Sequence, residues 1–169
     1  MSLLGERLVE ETIRRFEEEY LPRLEAAVAL LPPDRLWWRP HEDVPSVGNL
    51  LLHLEGNVRQ WLLGGLGGGP TARARKQEFS ARGGADSGTL LADLRATVTA
   101  SFPVLRSLDE EALLRDTSIQ GFPVTGLDAV LHVQEHFGWH TGQIVWIAKS
   151  VAGPGHGLAF HDDDALEGH

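Results

Sequence analysis

Leu4, Leu8, Phe16, Tyr20, Leu24, Val28 and Leu31 recur at spacings of three, four or small multiples of these, with Glu and Arg on the opposite side. This pattern predicts a long amphipathic first helix, which Pro22 should bend or split because it lacks an amide hydrogen. Segment 32–45 holds four prolines and the pair Trp37-Trp38. It reads as an irregular connection whose aromatics cap one end of the core or face a substrate. Ser46 after Pro45 is the expected N-cap of a second helix from Val47 to about Leu63. Leu51, Val58 and Leu62 centre its apolar arc, and His53 and Asn57, one turn apart, fall just beyond the arc's flank. Taken alone, His53 there reads as a structural or boundary residue.

Gly64 to Gly69 with Pro70 ends that helix and opens a polar connection through Ser87, read as a flexible link. GLGGGP lacks the Lys-Ser/Thr of a phosphate loop. Arg73, Arg75 and Lys76 in this link read as a solvated patch, or as a receiver for an anionic substrate group. Leu90, Leu91, Leu94, Val98, Phe102 and Leu105 predict a third helix, capped by Asp86 or Ser87, with Pro103 distorting its last turn. Asp109 to Arg115 predicts a short helix, and Thr117 to Val124 an extended or hairpin-like crossing. Thr125-Gly-Leu-Asp128 is a capping-box-like start for a fourth helix running to about Val151. The acidic tail beyond Pro154, with His156, His161 and Asp162 to Asp164, reads as surface chain.

The 169 residues fit one domain, expected over residues 4–166, with 1–3 and 167–169 read as vector-derived ends. Hydrophobic residues at 42% and charged residues at 23% suit a soluble globular protein, and no apolar run reaches the roughly 18 residues of a membrane span. With no cysteine and no visible secretory signal, a cytoplasmic location is expected, and any metal is restricted to His, Asp or Glu ligands. The formal net charge of −9 without a basic patch argues against nucleic acid as a partner.

The chemistry concentrates in the fourth helix, in HVQEHFGWHTGQI from His132 to Ile144. At about 100° per residue, His132, His136 and His140 form one stripe within an apolar arc that includes Val133, Phe137, Ile144 and Ile147. Inward-pointing imidazoles need partners, and neutral imidazoles one turn apart make a bidentate metal clamp. Two patterns compete. His132-Val-Gln-Glu135-His136 matches H-x-x-E-H, a zinc protease signature with Glu135 as base, but too little chain follows to supply that class's distant third ligand. The other is His136-x-x-x-His140 followed by Gly-Gln-Ile, joined to His53 on the second helix.

The pieces Trp38-Arg39-Pro40, SVGNLLLHLEGNVRQW from Ser46 to Trp61, and HFGWHTGQIVWI from His136 to Ile147 together resemble the DinB-like superfamily over nearly the whole chain. The resemblance implies an all-α, antiparallel four-helix bundle with long connections, commonly a homodimer. It also implies a divalent metal such as nickel or zinc on a histidine triad, which carries over as His53, His136 and His140. His132 lies outside that triad, either as a neighbour oriented by Asp128 or in place of one of the three. Asn57 and Gln143 are placed to orient a ligand or substrate. Two chemistries are implied for a small-molecule substrate: transfer of a low-molecular-weight thiol to an electrophile, and metal-assisted hydrolysis. Thiol transfer ranks first because Glu55 and Glu135 project away from the stripe, leaving no carboxylate as base. A non-catalytic dimerising or binding bundle with a structural metal is the alternative from another class.

Overall fold

The computed structural model describes residues 2–160. Its first helical rod comprises α1 (Leu3–Arg14), a π-helical stretch over Arg15–Tyr20 and α2 (Leu21–Ala29). The Leu21 amide bonds to the Phe16 carbonyl five residues back, so the widened turn ends one residue before Pro22, which then sits in the first turn of α2. The proline is absorbed there and splits nothing, because a first-turn residue needs no intrahelical donor. The second rod is α3 (Val47–Val58), continued by a π-helical stretch over Arg59–Leu66. A short helix α4 (Arg75–Ser80) follows, then α5 (Ser87–Ser107), which runs through Pro103. α6 (Glu110–Leu114) and an antiparallel hairpin, β1 (Asp116–Ile119) with β2 (Phe122–Thr125), lead into α7 (Gly126–Ala152). The caps are those the sequence announces: Ser46 on α3, Asp86 on α5 and Thr125 with Asp128 on α7.

The fold is the expected all-α bundle, with the four long rods arranged in a ring. Antiparallel packing joins α3 to α7, where His53 faces His136 and Asn57 faces His132, and joins the first rod to α5 through Glu25–Arg95 and Glu10–Arg106. On the other two sides neighbours run the same way. Phe16 meets Phe137 edge-to-face at 5.0 Å, while Leu4 and Leu8 lie near Leu127 and Leu131. Thr97 of α5 meets Glu55, and seven residues on Val104 meets Gly67. Antiparallel order therefore holds on two sides of the ring, and the parallel sides follow from the connections.

To run parallel to α3, α5 must start at the same end, and the chain has to return along the full length of α3. Twenty residues at about 1.5 Å each make a rod of about 30 Å, which segment 67–86 spans. The expected flexible link is instead an anchored crossover. Arg39 Nη2 donates to the Asn49 side-chain oxygen (2.6 Å) and to the carbonyls of Phe79 (2.8 Å) and Ala81 (3.1 Å). Asn49 Nδ2 donates to the carbonyls of Glu78 (2.6 Å) and Ala81 (3.0 Å), and Trp37 Nε1 to that of Ala85 (3.1 Å). The proline-rich segment thus fastens the crossover over α3.

With α5, α7, Trp37 and the crossover around it, α3 is covered on nearly every side. Its apolar run Leu50, Leu51 and Leu54 is buried, and so are Asn49, His53 and Asn57. His53 (2% exposed) and Asn57 (3%) are therefore core residues and not boundary ones. Among the described residues, no helix is long and apolar enough to cross a membrane. His156 accepts a bond from the Leu158 amide, and the expectations on His161 and Asp162 to Asp164 lie outside the described residues.

Arg39 is the central clamp, since hydrogen bonds from a charged donor contribute about 1.5–3 kcal/mol each to local stability. Arg39→Ala is expected to raise amide hydrogen exchange in residues 77–85 by about tenfold or more while α5 and α7 keep their protection. Hydrogen-exchange mass spectrometry checks this.

Candidate metal centre

His53 comes from the middle of α3, and His136 and His140 from facing turns of α7. Each offers a ring nitrogen, and the three nitrogens lie within 4.8 Å of one another. His53 Nε2 and His136 Nε2 are 2.9 Å apart, a contact that two lone pairs tolerate only with a proton or a cation between them. Two imidazole nitrogens each about 2.0–2.1 Å from one divalent ion would stand about 2.9 Å apart at a right angle and about 3.3–3.4 Å apart at the tetrahedral angle zinc prefers, so the pair is within a few tenths of an ångström of a shared-ion spacing. His53 is buried, while His136 and His140 are half-buried, so access to the three nitrogens is from the α7 side.

The far side of each ring decides which nitrogen faces the centre. His53 Nδ1 lies 2.9 Å from Glu78 Oε2. With Nδ1–H donating to that carboxylate, the Nε2 lone pair is left toward the other histidines. Arg73 holds Glu78 by two bonds, Nε to Oε1 (2.7 Å) and Nη2 to Oε2 (2.8 Å). Its Nη2 also donates to the His53 carbonyl at 2.9 Å, and approaches His53 Nδ1 at 2.8 Å without a lone pair to meet once Nδ1 is protonated. His140 Nδ1–H donates to Gln143 Oε1 at 2.6 Å, which likewise turns its Nε2 inward. Phe79 packs on the His53 ring with centroids 4.6 Å apart.

Residues 4–156 match the model of DUF1572, a family of proteins of unknown function. The chain belongs to the DUF1572 family. No curated protein and no solved structure matches it.

In this DUF1572 chain the remaining sequence expectations sort by packing. Gln143 stands on His140. Asn57 stands on a different ring, with Nδ2 3.4 Å from His132 Nε2. His132 is outside the three-histidine cluster; it stacks on Trp61 at 3.9 Å and on His136 at 5.4 Å. Asp128 does not orient it. That carboxylate accepts from the Thr125 amide (2.8 Å) and hydroxyl (2.7 Å), so the helix cap takes the group that was expected to serve the histidine. Glu135 lies on the other side of α7 beside Arg15 and Tyr20, which removes the base that the H-x-x-E-H reading requires. Glu55 is held by Arg59 and Thr97.

Sequence reasoning missed Glu78 altogether and misread Arg73, whose side chain is only 6% exposed. One signal was present. Gly56 interrupts an otherwise helix-favouring run, and a β-carbon there would lie 2.5 Å from Glu78 Oε1 and 2.8 Å from Arg73 Nε. A glycine inside a helix marks a close approach, here of the Arg73–Glu78 pair to the α3 backbone.

Electrostatics keep the site ready for a cation. Burial, together with the neighbouring histidines and Arg73, pushes His136 down to about 3. Burial also lowers His140, against the opposing bond to Gln143, and lowers His132. Burial pushes Glu78 upward, but the bonds from His53 and Arg73 and the charge of Arg73 outweigh it and leave the carboxyl below its usual range. At neutral pH these three imidazoles are therefore uncharged and Glu78 is an anion.

The depressed histidines make the unfolded chain the stronger proton binder between their folded values and the ordinary 6.5, so acid favours unfolding. Metal-free protein should lose stability as pH falls below 6.5, by about 1.4 kcal/mol per pH unit for each fully linked histidine. Thermal melts at pH 7.5 and 5.5 in chelator check this, and His136→Phe should flatten the dependence.

Proposed function

We propose that this chain is a DinB-like metalloprotein in which His53, His136 and His140 hold one divalent ion, nickel or zinc. We further propose that it transfers a low-molecular-weight thiol to an electrophilic small molecule. The observation that carries the reading is a cluster of three histidines from two helices to which, among the described residues, no fourth His, Asp or Glu belongs. Three protein ligands leave coordination positions for a reactant, whereas structural zinc sites are normally closed by a fourth.

A divalent ion so held lowers the pKa of a bound thiol, so that thiolate is present at neutral pH. The chain's own part is positional. Glu78, held by Arg73, fixes His53, and Gln143 fixes His140, so both rings keep a lone pair toward the centre. Phe79 shields the buried ring from water. In the transfer the sulfur forms a bond to the electrophilic carbon as the leaving group departs with its electron pair, and the thiol proton leaves to solvent.

Metal-assisted hydrolysis is the alternative within the enzyme class, and it calls for a free base beside the attacking water. Among the described residues the one carboxylate that contacts the triad, Glu78, binds His53 and Arg73 on the far side of the ring, which favours thiol transfer. A homodimer belongs to the same reading: Trp139 (63% exposed) and Trp146 (68%) stand two turns apart on the outer face of α7, as a helical partner face would.

Chelation should lower the melting temperature, because an ion bridging α3 and α7 stabilises by about 2.7 kcal/mol when free at a hundred times its dissociation constant. His53→Ala and His136→Ala should each lose bound metal and most of that increment. Glu78→Gln should keep metal with affinity about tenfold to a hundredfold weaker, and His132→Ala should bind as the parent does. Metal analysis and calorimetric titration check these outcomes, and full occupancy in His53→Ala would end the triad reading. Thiol conjugation by the metal-loaded protein, absent after chelation, tests the activity. Sedimentation should show a dimer that Trp139→Glu with Trp146→Glu converts to monomer.

A further inference from the structure

The histidine stripe does not end at the triad. One turn toward the start of α7, His132 lies face to face with Trp61 of the second rod, ring centroids 3.9 Å apart at 29°, and is stacked on His136 at 5.4 Å. Beside this pair is a recess of about 390 Å³ bounded by Trp61, His132, Asp128 and the hairpin residues Phe122, Pro123 and Val124. The hairpin is held there by Ile119, buried where Gly65 leaves room for it. Phe122, 60% exposed, forms the outer rim.

Two buried polar atoms next to His132 lack a protein partner among the described residues: the Trp61 indole N–H and the Asn57 side-chain oxygen. Both residues are at least nine-tenths buried. Orphans of this kind are uncommon because each forfeits a hydrogen bond, and here a donor and an acceptor flank one ring. One charge borders the recess: Asp128, whose Oδ2 accepts from the Thr125 amide and hydroxyl, neutral donors that leave it an anion. Arg73 is tied to Glu78 and does not line the recess. An anionic group would therefore be repelled, while a flat apolar body would find an indole, an imidazole and a phenyl ring.

We propose that this recess is the subsite for the electrophilic substrate, and that it takes a neutral, planar, aromatic molecule bearing a hydrogen-bond acceptor for the Trp61 indole N–H. This rests on the metal-site reading for its reaction, but not for its binding, since no member of the triad lines the recess. A molecule seated there lies one imidazole away from the three nitrogens. His132 is a positioning residue in this scheme: its face orders Trp61, and its stack on His136 joins the recess to the centre.

The probe is coumarin, neutral, planar and carrying a carbonyl acceptor. In chelator-treated protein, titration should shift the Trp61 indole N–H resonance, assigned by its disappearance in Trp61→Phe. Val124→Asp, which puts a charge into the recess wall, should weaken binding about tenfold. Glu17→Gln, at an exposed position of the first rod, should leave it unchanged. In protein loaded with paramagnetic cobalt(II), the bound coumarin protons should relax faster than in the zinc form. A Trp61 resonance that stays fixed up to the solubility limit, or that shifts equally in Val124→Asp, overturns the proposal. Binding with no cobalt-dependent relaxation also overturns it, because the recess would then not adjoin the centre. If the triad takes up no metal, the metalloprotein reading fails by itself, and the titration of metal-free protein still decides whether the recess binds.

Discussion

A polar ring is buried at the middle of the most enclosed helix, and the rest of the structure is arranged around the cost of placing it there. His53, 2% exposed, can hydrogen-bond at only two atoms, and an unmade bond in such a place costs about 1–3 kcal/mol. Nδ1 is answered by Glu78 and Nε2 faces His136. Neither answer is local: Glu78 is 25 residues away and His136 is 83. Glu78 is itself a charge at a poorly solvated position and depends on the two bonds from Arg73, whose approach depends on the missing side chain at Gly56.

Chain topology supplies the route. Because α3 and α5 run in the same direction, the connection between them has to pass along α3, and it does so over the face that carries His53. The crossover then does two things. It completes the burial of a helix that is apolar almost all round, and it delivers one acidic and one basic side chain to the back of a ligand-type histidine. Arg39 and Asn49 hold its backbone through carbonyl groups, independent of the side chains it carries.

The helices, their caps and the His136–His140 pair were legible in the sequence because each rests on short-range spacing: imidazoles four residues apart, a Ser or Thr three residues before its partner, leucines at helical period; His53, 83 residues from His136, joined that pair only through the family resemblance. The crossover was not. Arg73 and Glu78 sit in a stretch with no hydrophobic period, and only a long-range contact distinguishes a buried pair from solvated charges. His53 looked like a boundary residue for the same reason, since the face it occupies is covered by that unreadable segment. Asp128 shows the converse error: two bonds to Thr125, three residues away, take the carboxylate that was assigned to the histidine one turn on. Pro22 was expected to bend or split the first rod, but the π-helical turn before it places it in a first turn, where a proline is tolerated.

The regular spacing of His132, His136 and His140 has a mechanical implication. Displacing α7 along α3 by four residues, about 6 Å, would present His53 with another pair from the same series, so the stripe works like the teeth of a rack and does not define its own register. What selects the tooth lies outside the histidines. Phe137 is wedged between Phe16 and Tyr20, and Gly138 leaves the Tyr20 hydroxyl close to the α7 backbone, so the first rod acts as the pawl. An aromatic cluster on the far side of α7 thus determines which of three chemically equivalent rings completes the centre.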